Sequence, residues 1–361
     1  MKKVFEVKWQ GLNLTRGAVF AVVLGLMIIV GVLPHDRRYF LSAIFGALLV
    51  ALSDPGGKYA PRTLAMAAMA GAGALLTALG FGIGGGPWGF VVLAAFAATW
   101  LAGLAVTYGL HRFVAAYLLN IWFIVVLGLP TLLSFGAPGA FHSGLLHTEP
   151  WKQALAWLVG AALWLVYTFI MWLARGRIPA PQPAPEIPGD ISPRALSRPI
   201  VLFALLRAVA VSIAVAIAFG LQLPNAYWMP IAVIIAMKPD LQQSSFAAVQ
   251  RVAGTALGAG VAALVLLTVH NKTVLEVIIV LLFGLAAAIR FVNYAWYTAA
   301  MAAGLLIAMD VPHPSNFASE GRRILFTLAG VGIAVIVMFL SDRLKKHSAA
   351  ATTASPHPIT T

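Results

Sequence analysis

Long apolar runs separated by short polar breaks fill this chain. Segments of membrane length fall near 15–33, 38–54, 63–83, 88–108, 112–133 and 152–174. After an interruption they resume near 200–221, 226–238, 247–268, 273–290, 292–310 and 322–341. One crossing takes roughly 20 apolar residues, so the pattern predicts twelve helical spans. The eighth is short, and only Arg290-Phe291 parts the tenth from the eleventh. Residues 63–110 contain no Asp, Glu, Lys or Arg and hold two spans. The interruption, 175–199, carries Pro179, Pro181, Pro183, Pro185, Pro188 and Pro193. Such chain cannot form a helix interior and stays extended as a semi-rigid spacer. Four regions follow: a six-span repeat over 1–174, a proline-rich linker over 175–199, a second six-span repeat over 200–343, and a polar tail over 344–361.

The two membrane regions say the same thing twice. Arg16 opens a segment closing at Leu33-Pro34, Tyr39 starts the next, which ends at Asp54-Pro55, and Arg62 enters the third. In the second region Arg207, Leu223-Pro224, Tyr227, Pro239-Asp240 and Arg251 take those places. Arg112-Phe113-Val114 answers Arg290-Phe291-Val292, and Gly160, eight residues after Lys152, answers Gly330, eight after Arg322. Ala67-x-x-x-Gly71 and Gly254-x-x-x-Gly258 fall in the corresponding third and ninth spans. Small residues at that spacing let helices approach closely in lipid, so these two spans are expected deep in the bundle. A two-fold repeat of spans is the usual build of a transporter or pore.

Composition fixes the class. Hydrophobic residues make up 61% of the 361 and charged residues 10%, against about 25% charged in soluble domains. The expected fold is therefore an all-α, multi-pass membrane protein. The net charge of +13 does not point to nucleic acid, because basic residues collect in cytoplasmic loops. With the N-terminus inside and every span crossing, 18 Lys and Arg fall inside and 6 outside. Both termini are then cytoplasmic, and the repeats are parallel, related by a pseudo-two-fold axis along the membrane normal. The first apolar run lacks a small-residue cleavage signal and reads as a retained span. Without cysteine there is no thiol catalysis, disulfide framework or Cys-based metal site.

One stretch has a family likeness. Tyr227-Trp228-Met229-Pro230 is followed by Lys238-Pro239-Asp240 and then by Gln250-Arg251-Val252-Ala253-Gly254-Thr255-Ala256-Leu257-Gly258. This resembles the fusaric acid resistance, or aromatic acid exporter, family. Its pattern is an aromatic pair opening a span, a polar Pro-containing exit, then R-x-x-G-T-x-x-G. Arg323, Thr327 and Gly330 are similar to a later R-x-x-x-T-x-x-G element. The first half keeps Asp54-Pro55-Gly56-Gly57 and Arg62 without G-T-x-x-G. The resemblance implies inner-membrane efflux of aromatic carboxylates and related anions in bacteria, and a periplasmic adaptor protein as partner, with the outer loop 134–150 as the longest candidate contact. Plant aluminium-activated malate transporters look like distant relatives, with a six-span unit that pairs around an anion pathway. The large cytoplasmic domain of many bacterial relatives has no counterpart here. Whether the chain works as a monomer or a homo-oligomer is open.

Candidate chemistry follows the charges. Arg62 with Arg251, Arg112 with Arg290, and Lys238 fall at cytoplasmic span ends and are expected to line an anion entrance, since a guanidinium fork matches a carboxylate. Arg16 and Arg207 read instead as headgroup anchors. Tyr117 and Asn120, with Asn293, Tyr294 and Trp296, lie in the corresponding fifth and eleventh spans and offer an amide beside an aromatic face for an aromatic acid. Asp54, Asp240 and Asp310 are the candidates for proton coupling. No catalytic motif, cofactor fingerprint or metal cluster stands out, so an enzyme is not expected. The expected function is efflux of small organic anions across the inner membrane, between the repeats. A passive anion channel is the alternative, and behind it a membrane scaffold or an embedded enzyme for lipid-linked substrates.

Overall fold

The structure, a computed structural model, describes residues 5–7, 9–32, 39–135, 144–180, 195–223, 227–237, 241–310, 322, 325–337 and 339. Among them the chain is all-helical apart from short turns and a single bridge between Gly57 and Ala180. The N-terminal half holds α1 (Leu14–Val32), α2 (Phe40–Leu52), α3 (Tyr59–Ile83), α4 (Trp88–Leu104), α5 (Leu110–Phe135) and α6 (Thr148–Ala174). The C-terminal half holds α7 (Arg198–Gly220), α8 (Trp228–Ala236), α9 (Leu241–Thr268), α10 (Lys272–Ile289), α11 (Tyr294–Asp310) and α12 (Leu325–Val337). Each expected span meets one helix, in order. Local chemistry sets several ends. Pro199 opens α7, where its missing N–H is no loss. The Asn271 side chain caps α10, accepting from the Thr273 and Val274 amides at 2.9 and 3.3 Å.

Among the described residues, α3, α4 with its 3-10 extension to Tyr108, α5, α6, α7 and α10 are long and apolar enough to cross a membrane. Leu93, Leu155 and Leu281 stand more than half exposed on such helices. In water that surface would be a liability, whereas lipid solvates it. Among the helices whose two ends both fall in the described residues, α2 and α8 are the shortest, with 13 and 9 residues. At 1.5 Å per residue they rise only about 20 and 13 Å, short of a hydrocarbon core about 30 Å thick. Both are enclosed by protein: every residue of α8 is buried, and so are Ser42 and the nine residues from Ile44 to Leu52 in α2. The breaks are chemical. Gly56 and Gly57, at φ 65° and 80°, turn the chain after Asp54-Pro55. Past α8, Pro239 disfavours helix at the residue before it. Interrupted backbone at membrane depth is tolerated where protein, not lipid, surrounds it.

Packing follows close approaches of small residues. α2 and α3 both lie on α6, α3 on α5, and α9 on α11. Gly160 of α6 abuts the Ala43 carbonyl of α2, and Gly330 of α12 abuts the Met229 carbonyl of α8. Between the halves, α1 packs on α10, α4 on α7 and α5 on α8. Gly17 of α1 meets Gly284 of α10, and Gly103 of α4 meets Ala204 of α7. Gly254 and Gly258 do what their spacing suggests, lying against the Ala295 and Ala299 carbonyls of α11. Ala67 and Gly71 do not. Both are exposed, and no neighbour lies near Gly71. The packing face of α3 is Met66, Met69, Ala70, Gly73 and Ala74 instead. The buried Trp157 indole fills the space over Gly73 and donates to the Ala70 carbonyl at 3.0 Å. That bulk sets the rotation of α3. Neither α3 nor α9 is deep in the bundle, since each keeps an exposed face.

Candidate functional site

The seam between the halves carries three arginines set over aromatic rings. α1 and α7 open the two halves, and each sends an arginine across the seam onto an aromatic ring of the other. Arg16 lies 5.5 Å from the centroid of Phe291, in the α10–α11 junction. Arg207 lies 5.9 Å from that of Phe113 and 5.3 Å from that of Tyr117, both on α5. Phe113 and Phe291 are the positions that the sequence repeat equates. The ring quadrupole attracts a guanidinium over its face, more strongly where water is absent.

Arg207 is the more enclosed, with 0% of its surface exposed. It follows Arg198 by nine residues, about 14 Å along the helix, well past the headgroup level. Its Nη2 approaches the Ile234 carbonyl of α8 at 3.4 Å, a long contact, while Nε and Nη1 have no hydrogen-bond partner among the described residues. Asn120, one turn beyond Tyr117 on α5, is also buried. Its Oδ1 accepts from the Thr99 hydroxyl of α4 at 3.2 Å, and its Nδ2 is unpartnered among the described residues. Arg207 and Asn120 thus carry buried donors with no acceptor among the described residues.

On the other side of the seam two cations share one ring. Arg290 caps the C-terminus of α10, is 8% exposed, and lies 5.7 Å from the Phe291 centroid. Arg16 and Arg290 are close enough to repel, and Tyr297 on the first turn of α11 is within electrostatic reach of both. Asp54 also reaches Arg16, but its carboxylate is held by Arg62. Arg62 Nε donates to Oδ1 at 2.7 Å and Nη2 to Oδ2 at 2.5 Å, and the Gly56 amide donates to Oδ1 at 2.9 Å. Arg62 therefore enters α3 with its charge already matched. Beside it, a cavity of about 60 Å³ is lined by Arg62, Tyr167, Trp172 and Arg175, with Ala180 at its edge. Asp54→Asn should leave Arg62 part-buried and unmatched and cost about 2 kcal/mol, the loss of a charged hydrogen-bonded pair. Melting curves of the single variant and of Asp54→Asn with Arg62→Gln check this: the double variant should recover part of the loss.

The other residues expected at the site divide. Arg112 is exposed and lies over Tyr108, not in the seam. The Asn293 Oδ1 caps α11, accepting from the Ala295 and Trp296 amides, and its Nδ2 donates to the Glu6 carbonyl. Trp296 is 43% exposed against the Phe5 ring, and Tyr294 packs beside Tyr297. On α11 the amide and the aromatics therefore cap a helix and hold the N-terminal segment, whereas on α5 Tyr117 lies against Arg207 of the other half and Asn120 is buried beside Thr99 of α4. Lys238, Asp240 and the side chains of Arg251 and Asp310 lie outside the described residues. The residues that sequence reasoning passed over are Arg16 and Arg207. The available signal was Arg198-Pro199, which marks where α7 starts and puts Arg207 too deep to be an anchor.

Residues 211–337 match a family described as fusaric acid resistance protein-like, which bears out the resemblance over that stretch. No curated protein and no solved structure matches the chain.

Proposed function

We propose that this protein exports organic anions, aromatic carboxylates foremost, from the cytoplasm across the bacterial inner membrane, along the seam between its halves. The observation that carries this reading is Arg207, fully buried, seated on two rings of the opposite half, with two N–H-bearing nitrogens unpartnered among the described residues. Ionisable groups at this depth are functional by default. A guanidinium stays charged, and its fork receives a carboxylate through paired hydrogen bonds. The flanking rings suit an aromatic body.

The reading includes two parallel repeats about an axis along the membrane normal, with both termini cytoplasmic. Support comes from the exchange of α1 onto α10 and α7 onto α4, and from Gly160 on α2 answering Gly330 on α8. The short, enclosed α2 and α8 occupy corresponding places in the two halves, which is where carriers built from repeats form their sites. The Asp54 carboxylate is engaged in a fork by Arg62, and coupling, where present, is assigned to Asp240 or Asp310. A periplasmic adaptor docking on 134–150 belongs to the same proposal. No chemical step is assigned.

Membrane potential alone favours anion exit, by about 2.3 kcal/mol per charge per 100 mV. The test is the current carried by benzoate across a bilayer containing the purified protein, at clamped voltage, with and without a pH gradient. Protonated benzoic acid crosses lipid without carrying current, and strong buffering on both sides holds the pH gradient against the protons it brings. A protein-dependent current supports anion transport, and its response to the pH gradient separates antiport from a channel. A current no larger than that of the protein-free bilayer refutes the reading.

A further inference from the structure

We infer that the cavity between α3, α6 and the start of the linker binds the phosphate of an anionic phospholipid. The inference is separate from the Arg207 station and holds whether or not the chain exports anions.

The cavity, of about 60 Å³, is lined by Arg62 of α3, by Tyr167, Met171 and Trp172 of α6, and by Arg175 and Ile178 just beyond. One water needs roughly 10–15 Å³ of such space, so it takes a group of about five heavy atoms. That is the size of a phosphate group and too small for an aromatic acid. Charge narrows the choice. Asp54 engages Nε and Nη2 of Arg62 in a fork, so that pair sums to zero. Among the described residues no carboxylate pairs with Arg175, which leaves the wall one net positive charge. A phosphodiester carries the one negative charge that matches it, and a guanidinium suits phosphate oxygens.

The surroundings point to a lipid as its source. Arg175 caps the C-terminus of α6, a helix long and apolar enough to cross a membrane, and arginines at such helix ends reach the headgroups. The Phe169 ring, 42% exposed, lies 6.1 Å from the Trp172 ring of the cavity wall. Ile170 and Leu173 on the same helix are exposed as well. Acyl chains therefore find an apolar surface next to the charged cavity, and basic pockets between membrane helices bind lipid headgroups.

The fold holds this wall in place. Gly176 and Arg177, at φ 69° and 67°, reverse the chain after α6. Their amides donate to the Leu173 and Trp172 carbonyls at 3.0 and 2.9 Å. The linker then reaches the α2–α3 turn, where Gly57 and Ala180 exchange backbone hydrogen bonds at 2.9 and 3.0 Å. The Trp172 indole stacks on Tyr59 of α3 at 4.4 Å. An occupant would tie the linker to both α3 and α6.

The experiment uses the full chain in detergent micelles. Phosphatidylglycerol or phosphatidylcholine is added in steps, and bound lipid is counted by native mass spectrometry. Glycerophosphoglycerol, the same phosphodiester without acyl chains, is the soluble competitor. The expected result is saturable binding of phosphatidylglycerol in preference to phosphatidylcholine, with only weak displacement by the competitor. Arg175→Gln should weaken it about ten-fold or more, the range of one charged hydrogen bond. Arg177 lies over Trp172 and off the cavity wall. Arg177→Gln should cost no more than about five-fold, the worth of a cation merely near an anionic surface. Ala180→Leu keeps both cations and adds bulk at the cavity edge, and it should lose the lipid too. Wild-type protein that does not prefer phosphatidylglycerol overturns the inference without recourse to any variant. So do equal losses in Arg175→Gln and Arg177→Gln, or undiminished binding in Ala180→Leu. A competitor that binds more tightly than the lipid would make this a site for free phosphodiesters and overturn the lipid assignment.

Discussion

Arg207→Met is expected to hold or raise the melting temperature and to cut benzoate current by at least about ten-fold. The two effects share one cause. A buried guanidinium with two unpartnered nitrogens has lost its hydration without full replacement. Apolar substitution of buried charged groups is often neutral or stabilising, by about 1–4 kcal/mol. Methionine keeps much of the aliphatic stem, gives up the guanidinium–ring contacts with Phe113 and Tyr117, and removes the unpaired donors. A transported carboxylate loses its charged hydrogen bonds, worth about 1.5–3 kcal/mol, and each 1.4 kcal/mol is about ten-fold. Arg207→Lys should give intermediate current, since a point charge remains without the fork. Paired measurement of melting and current on the same preparations checks this. A fall in both together would make Arg207 a structural strut.

Gly160→Val and Gly330→Val are expected to abolish the folded protein. In each, an added Cβ would collide with a backbone carbonyl of a short, enclosed helix, Ala43 of α2 or Met229 of α8. Backbone cannot move aside as a flexible side chain can. Overpacking commonly costs about 1–3 kcal/mol, and here the clash lies at the closest helix approach on a helix with no lipid-facing side to retreat toward. Gly46 makes the reciprocal contact with the Trp157 carbonyl, so α2 and α6 are locked at two points. Gly71→Val and Gly332→Val are the controls. Both sites are open, and surface changes of this kind stay within about 0.5 kcal/mol. Yield and monodispersity of fluorescent fusions after detergent extraction distinguish the two sets.

How much of this was legible in the sequence depends on the distance over which each feature is decided. Helix order was legible because twelve apolar runs and their Pro, Gly and charged breaks are local. So was the weakness of the eighth span, for Pro239 follows an apolar run too short to cross. The rotation of α3 was not legible. Ala67 and Gly71 have the spacing of a packing motif, but the bulk of Trp157, nearly ninety residues away, turns Ala70 and Gly73 to the interface instead. The Asp54–Arg62 pair depends on a turn whose geometry rests on two glycines with positive φ. The roles of Arg16 and Arg207 were least legible. Whether an arginine near a helix start meets headgroups or an aromatic ring is decided by the helix opposite, and for Arg16 that ring is Phe291, at the far end of the chain. Capping by Asn293 was a missed local signal, since an Asn just before an apolar run is an ordinary helix start.

The most direct test of the central claim, that anions pass along the seam beside Arg207, uses the absence of cysteine from this chain. Tyr117→Cys introduces a single thiol at the seam, and Leu93→Cys introduces one on a lipid-facing surface. Each is exposed, in sealed vesicles of known orientation, to a charged, membrane-impermeant thiol reagent with and without benzoate. The account predicts that the seam cysteine reacts from the cytoplasmic side, that benzoate slows it, and that the lipid-facing cysteine stays unlabelled. A seam cysteine that is inert from both sides, or that reacts at the same rate with benzoate present, would contradict it.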